Sequence, residues 1–237
     1  MKNESKILFT GGSGRLGTEM KKLIPKAMFP SSANFDVTNY AQMEGLIKKH
    51  KPKIIIHAAA YTLPQQAEKE PIKPLEANII GTANVAKLCL KFGIKLIYIS
   101  TDYVFDGKKG NYKEEDPVLP VNKYAWSKLG GEAAVRMLDR YLIIRTSLGE
   151  KVFPYKAAFV DHFTSRESVD VIAKKIVKVV NAGISGIIHI GHKRRSVYGY
   201  AKDLGSKNVS KVSIKDVEFP VPKDTSLNLS KYNKLFK

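Results

Sequence analysis

A short apolar run, KILFT at 6–10, passes at once into TGGSGRLG and then into RLGTEMKKLI, where Leu16, Met20, Leu23 and Ile24 recur at helical spacing. A strand that turns through glycines straight into a helix opens a βα unit, and the same alternation continues down the chain. KAMF (26–29) is a candidate second strand, NYAQMEGLIKKH (39–50) a helix, and KIIIHAAA (53–60) a strand ending in small residues. LEANIIGTANVAKLCLKFG (75–93) reads as one long helix stopping at Gly93, followed by the strand KLIYIS (95–100). A helix around Tyr124, the strand YLIIRT (141–146), the helix SRESVDVIAKKIVKVVNAG (165–183) with Ser165 as N-cap, and the strand GIIHI (186–190) complete the series. The strands are continuous apolar runs, as strands covered on both faces of a parallel sheet must be.

The glycines of the first turn are Gly11, Gly12, Gly14 and Gly17, and three of them give a G-x-x-G-x-x-G spacing. Such a turn lets a pyrophosphate approach the backbone and meet the free N–H groups of the following helix. Its place between strand and helix is the context that gives the pattern meaning. The chain is therefore expected to be α/β, a Rossmann-type doubly wound parallel sheet. Residues 1–146 form the NAD(P)-binding domain, and 147–237 form a small C-terminal substrate lobe interleaved with the last sheet elements at 166–190. No acid stands at the end of the second strand to hold a ribose 2′-hydroxyl. Ser31, Ser32 and Arg15 are instead placed to receive a 2′-phosphate, which favours NADP(H) over NAD(H).

VNKYAWSKLGGE (121–132) sets Tyr124 and Lys128 four residues apart, on one face of a helix. A free tyrosine titrates near about 10, and an ammonium beside it is expected to lower that value. The phenol then exchanges a proton with a carbonyl oxygen as hydride arrives or leaves. Ser100 and Thr101 in YISTDYVFDG end a neighbouring strand, where ligands of open parallel sheets bind. Tyr198 and Lys202 share the same spacing in SVYGYAK, but as part of a surface helix.

In their order, TGGSGRLG, DVTN, HAAAYT, ANIIGTANVAKLC, ISTDYVFDG, PVNKYAWSKLGGE and IIRTS resemble an extended short-chain dehydrogenase/reductase, most closely the dTDP-4-dehydrorhamnose reductase family. The resemblance spans residues 6–147 and continues faintly in GIIHIGHKRRSVYGYAKDL and SLNLSKYNKL. It implies NAD(P)H-dependent reduction of the keto group of a nucleotide-linked 4-keto-6-deoxy sugar. Thr101, Tyr124 and Lys128 would be the catalytic group. Gly11, Ser13, Gly14, Arg15, Leu16 and Gly17 would hold the pyrophosphate, with Asp36 and Val37 beside the adenine. Ala58, Ala59, Ala60 and Tyr61 would line the cofactor channel, with Asn78, Ser100, Tyr124 and Lys128 completing the cofactor site. Thr101, Asp102, Tyr103 and Phe105 would border the sugar.

Three departures bear on the sugar pocket. LPQQAE follows AYT where the family carries valine and aspartate, Leu148 and Gly149 replace an aromatic after RTS, and the region after residue 147 is shortened. An epimerase or dehydratase of the same superfamily is an alternative reading. So is a non-catalytic regulatory subunit, since the regulatory subunit of methionine adenosyltransferase resembles this family too. The net charge of +18 comes from scattered lysines without interleaved aromatics, so nucleic acid is not expected as the partner, whereas a phosphorylated ligand is. His189 and His192 have no companions at metal-ligand spacing, and no metal is expected. The lone Cys89 sits in a helical pattern as a buried thiol. No apolar run approaches the roughly 18 residues of a membrane span, and the first residues read as no signal peptide. The expectation is a cytoplasmic protein acting on a nucleotide sugar, as a homodimer or beside a partner enzyme.

Overall fold

Side chains along each central strand alternate between two apolar layers. Ile7, Phe9, Ile56, Ile97, Ile99, Leu142, Ile144, Ile188 and Ile190 face one layer. Leu8, Ile55, Leu96, Tyr98, Ile143 and Ile187 face the other. A sheet with two apolar faces needs a cover on each, and burying each such side chain contributes about 1.5–3 kcal/mol. The computed structural model describes residues 4–237. Its central sheet has five parallel strands, β1 (Ile7–Thr10), β2 (Ile54–His57), β3 (Lys95–Thr101), β4 (Tyr141–Thr146) and β5 (Gly186–Ile190), in that spatial order. Helices α1 (Arg15–Leu23) and α5 (Val169–Asn181) cover the first face. Helices α2 (Tyr40–His50), α3 (Gly81–Phe92) and α4 (Lys123–Val135) cover the second, where Cys89 is buried and its thiol is pushed up to about 12.

KAMF contributes less than a strand. Met28 alone bridges Leu8, held by Met28 N–H to Ile7 O at 2.8 Å and Phe9 N–H to Met28 O at 2.8 Å. That bridge lies on the free edge of β1, so the chain steps outward from β1 and then returns to β2 on its other side. The carboxyl ends of β1 and β2 thus flank the point where the winding reverses, the place an open α/β sheet offers to ligands.

Two helix boundaries differ from the sequence reading. Residues Leu75–Ile80 form a widened π turn ahead of α3, rather than part of one regular helix. The wider turn lets Asn78 point inward and bond the loop after β2, as described below. Helix α5 begins at Val169 behind Ser168, not at Ser165, whose buried hydroxyl accepts the Leu227 N–H at 3.0 Å instead. Gly93 ends α3 with φ +63°, as its cap position requires.

After β4 the chain leaves the sheet to build a lobe. Ala157–Phe159 pairs with Ser210–Val212, Phe163–Thr164 pairs with Arg195–Ser196, and α6 (Val197–Asp203) packs Tyr200 against Phe153 and Ala158. Between these pieces α5 and β5 return to the sheet. Phe163 and Tyr112 bridge Asp224 and Leu227, so the last stretch of chain is sewn back over the end of β3.

One ion pair ties α4 to the sheet. Glu132 accepts from Arg145 Nε at 3.0 Å, Arg145 Nη2 at 2.8 Å and the Ser100 hydroxyl at 2.6 Å, with both charged side chains no more than 2% exposed. Removing one member strands the other charge in the interior. Arg145→Met is expected to cost about 3–5 kcal/mol of unfolding free energy. Urea denaturation measures it, and a loss under about 1 kcal/mol would refute the supporting role of the pair.

Candidate active site

The glycine turn is packed too tightly for side chains. A Cβ on Gly11 would lie 2.8 Å from Ala59 N, and Gly11 holds φ +75°. One on Gly17 would lie 2.5 Å from Gly11 O. Gly14 caps α1 without a side chain, so nothing on the capping residue occupies the N–H groups of the first turn. A cavity opens beside this turn, lined by Gly11, Gly12, Ser13, Ser32, Asp36, Val37 and Ala59, among others. Free backbone donors, a helix N-terminus and a cavity whose lining includes Pro30, Phe35 and Val37 fit a dinucleotide. Leu16 itself is buried in the core, so only its backbone faces the turn. Arg15 ion-pairs with Glu150 of the lobe and does not line the cavity where Ser32 sits.

The loop after β2 is set by two buried polar groups. The Thr10 hydroxyl accepts the N–H groups of Ala58 and Ala59 at 3.2 and 3.1 Å. Its proton then goes to His57 Nδ1 at 2.7 Å, leaving His57 Nε2–H to donate to Thr82 Oγ1 at 3.0 Å. Burial, helped by the charge of Lys128, pushes His57 down to about 3, so the ring stays neutral. Asn78 holds the next residue: its Oδ1 accepts Tyr61 N–H at 2.8 Å and its Nδ2 donates to Tyr61 O at 3.0 Å. Asn78 Nδ2 also donates to Ser127 Oγ at 2.8 Å, and Ser127 donates to Tyr124 O at 2.7 Å. The Asn78 amide is thus committed to protein. It joins the Ala58–Ala60 loop to the helix of Tyr124 and is not free to contact a cofactor.

Asn122 caps α4 by accepting the Ala125 N–H at 2.9 Å, which starts the helix one residue before Tyr124. The helix then lays Tyr124 and Lys128 against the end of β3. Thr101 is close enough to hydrogen-bond the Tyr124 phenol, which burial pushes up to about 12, with Thr101 opposing and Asp102 adding to the rise. Lys128 Nζ donates to Ile99 O at 2.9 Å and sits 4.1 Å from the centroid of the Tyr98 ring. Burial lowers Lys128 to about 7, opposed by Glu132 one turn along. The expected lowering of the tyrosine by the lysine is therefore not what this geometry gives. Both groups are enclosed, and the ammonium is turned to the β3 backbone, so desolvation governs each.

The four residues expected to border the sugar separate into two pairs. Thr101 and Tyr103 stay at the site, with the Tyr103 ring edge-on to Tyr124 at 6.2 Å. His162 Nδ1–H donates to Pro222 O at 2.6 Å, so its Nε2 accepts the Tyr103 hydroxyl at 3.2 Å. Asp102 is buried under the lobe, accepting the hydroxyls of Thr164 and Thr225, each at 2.7 Å. Phe105 is buried too, stacked on Tyr112 at 4.2 Å beneath the Arg145 guanidinium. Asp102 and Phe105 thus fasten the turn after β3 and do not face a ligand. Ser100 likewise spends its hydroxyl on Glu132.

Sequence reasoning missed Glu132, His162 and the Thr10–His57–Thr82 chain. Glu132 carried a signal, an acid four residues after Lys128 on the same helix face. The others depend on partners distant in the chain.

Lys128 supplies a test of this electrostatic picture. Its folded value lies below the unfolded 10.5, so the fold is penalised fully below about pH 7, and the penalty fades as pH rises toward 10.5. In nucleotide-free protein, Lys128→Met is expected to raise Tm, and by more at pH 6 than at pH 10. A gain that grows with pH, measured by thermal unfolding, would contradict a desolvated lysine.

The family described as the RmlD substrate binding domain matches residues 5–178. A dTDP-4-dehydrorhamnose reductase of Aggregatibacter actinomycetemcomitans is 35% identical over 150 residues, 60% of this chain and 51% of that protein. Methionine adenosyltransferase 2 subunit beta of Rattus norvegicus is 35% identical over 141 residues, 55% of this chain and 42% of that protein. These matches span about half the length of the curated relatives. A crystal structure of dTDP-4-dehydrorhamnose reductase from Bacillus anthracis in complex with NADP superposes with a TM-score of 0.88 at 30% identity, covering 96% of this chain and 92% of that one. On the family match and the shared architecture, this chain belongs to the RmlD (dTDP-4-dehydrorhamnose reductase) family.

Proposed function

We propose that the chain is an NADPH-dependent reductase acting on the keto group of a nucleotide-linked 4-keto-6-deoxy sugar. The observation that carries this reading is the meeting of Thr101, Tyr124 and Lys128 at the end of β3, between the glycine turn and the lobe. The reductase name of the bacterial relative and the NADP complex of the solved structure support it. Gly11, Ser13, Gly14 and Gly17 would hold the pyrophosphate, and Ser32, Asp36 and Val37 the adenosine end. Tyr124 and Lys128 would lie at the nicotinamide ribose, and Ala59 would line the channel between.

When bound, the reduced nicotinamide supplies the hydride. The chain's own residues supply the proton and its surroundings. Tyr124, held protonated at neutral pH, donates from its hydroxyl to the carbonyl oxygen as negative charge develops there. The Thr101 hydroxyl turns its one proton to that oxygen and steadies it. Lys128, anchored on Ile99 O, keeps a positive end beneath the site below neutral pH. Tyr103 and His162 form the wall on the lobe side. A cytoplasmic location belongs to the same reading, since both reactants would be soluble nucleotides.

A non-catalytic regulatory subunit is the second reading, favoured by the similarity to methionine adenosyltransferase 2 subunit beta. Turnover separates the two, and net consumption of NADPH separates a reductase from an epimerase. With dTDP-4-keto-6-deoxy-L-mannose generated in situ, the protein is expected to oxidise NADPH. Tyr124→Phe is expected to lower turnover roughly a hundredfold or more while leaving NADPH affinity within about twofold. Equal turnover in the variant would remove Tyr124 as the donor, and absence of turnover in the wild type would favour the regulatory reading.

A further inference from the structure

Cations that lie scattered along the chain gather in the fold. At the amino end of the central sheet, away from the glycine turn and Tyr124, Lys53 N–H donates to Lys6 O at 2.8 Å, Lys95 N–H to Lys53 O at 3.1 Å and Leu96 N–H to Arg140 O at 3.1 Å. Lys6, Lys53, Lys95 and Arg140 therefore stand in a row at the starts of four neighbouring strands, whose backbones lie about 4.8 Å apart. Lys95 is turned to the fold, donating to Gly183 O at 3.0 Å and Ile184 O at 2.6 Å, and burial followed by the charge of Arg140 lowers its pKa. The other three are exposed. Helices α2, α3 and α4 end at the same edge, where Glu44 of α2 reaches Lys91 of α3 at 2.6 Å and Lys48 at 3.4 Å. Among the described residues Lys6, Lys53 and Arg140 have no carboxylate within ion-pair reach, and cations so spaced repel one another.

Three apolar side chains stand among these charges. Leu90 and Phe92 close α3 and Met137 follows α4, exposed by 54%, 36% and 74%. A nucleic acid would meet the cations with its phosphates, but its bases need flat rings to stack on. Leu90 and Met137 offer none, and Lys91 sits over the Phe92 ring at 5.9 Å. An anionic lipid surface uses both kinds of group, since headgroup phosphates meet the cations and the acyl boundary takes the apolar side chains. The edge also lies at the far end of the strands from the cavity beside the glycine turn, so a protein resting on it keeps that cavity open to solvent.

We propose that the amino edge of the sheet is a peripheral docking surface for an anionic lipid bilayer. This goes beyond the reductase reading and does not depend on it. The full chain is floated with vesicles of phosphatidylcholine alone, and with vesicles of equal parts phosphatidylcholine and phosphatidylglycerol. It is expected to float with the mixed vesicles in about 0.1 M salt, to be released in about 1 M salt, and not to float with phosphatidylcholine alone. Lys53→Glu combined with Arg140→Glu is expected to weaken binding at least about twentyfold. Met137→Ser is expected to weaken it roughly three- to tenfold and to leave its salt dependence as it was. Lys207→Glu combined with Lys211→Glu makes the same change of net charge on the exposed lobe, and is expected to keep affinity within about twofold. All these positions are exposed, so Tm should not move, which separates lost docking from lost folding. Wild-type protein that fails to float with the mixed vesicles would overturn the proposal. So would an equal loss in the lobe variant, which would leave net charge and no docking face. Binding of a mixed-sequence single-stranded RNA that is lost with Lys53 and Arg140, without flotation, would give the edge to nucleic acid instead.

Discussion

The Glu132 carboxylate is the point on which the site depends. It takes two bonds from Arg145 on β4 and one from Ser100 on β3, so a single residue of α4 is clamped to two strands at once. Lys128 lies one turn before it and Tyr124 two turns before it. A helix is stiff over that length, so fixing Glu132 fixes the height and rotation of both. The same charge also offsets part of the desolvation of Lys128. The ion pair is thus both a fastening and a source of potential, which gives a physical reason for keeping a charge inside an otherwise apolar layer.

Around this anchor most polar groups that look reactive are already engaged. Asn78, Asp102, Ser100 and His57 each meet protein partners with their full hydrogen-bonding capacity or close to it. They hold the loops after β1, β2 and β3 at fixed distances from one another. The groups of the candidate site with capacity to spare are few: the phenol of Tyr124, the ammonium of Lys128 and the hydroxyl of Thr101, whose bond to Asp102 is long at 3.3 Å. Preorganisation of this kind lets a site meet developing charge without reorganising.

The strands were legible because burial on both faces writes them as unbroken apolar runs. YLIIRT and GIIHI coincide with β4 and β5, and KLIYIS falls one residue short of β3. The glycine turn and the Tyr124–Lys128 pair were legible because their chemistry is local in sequence. The π turn at 75–80 was not, since its residues suit a regular helix and only the pull of Tyr61 and Ser127 on Asn78 explains it. Asp102 and Phe105 were misread for a related reason. They sit beside Thr101 in sequence, but Thr164, Thr225 and Tyr112 decide which way they point.

The fastening of Asp102 also orders events in time. One of its two hydroxyl donors, Thr225, and the segment that bridges Phe163 and Tyr112 emerge from the ribosome after every strand of the central sheet. A nascent chain can lay down its five strands while Asp102 holds only the first of its two hydroxyl donors, Thr164. The segment that carries Thr225 therefore acts as a later stitch on a loop that Thr164 has already begun to hold.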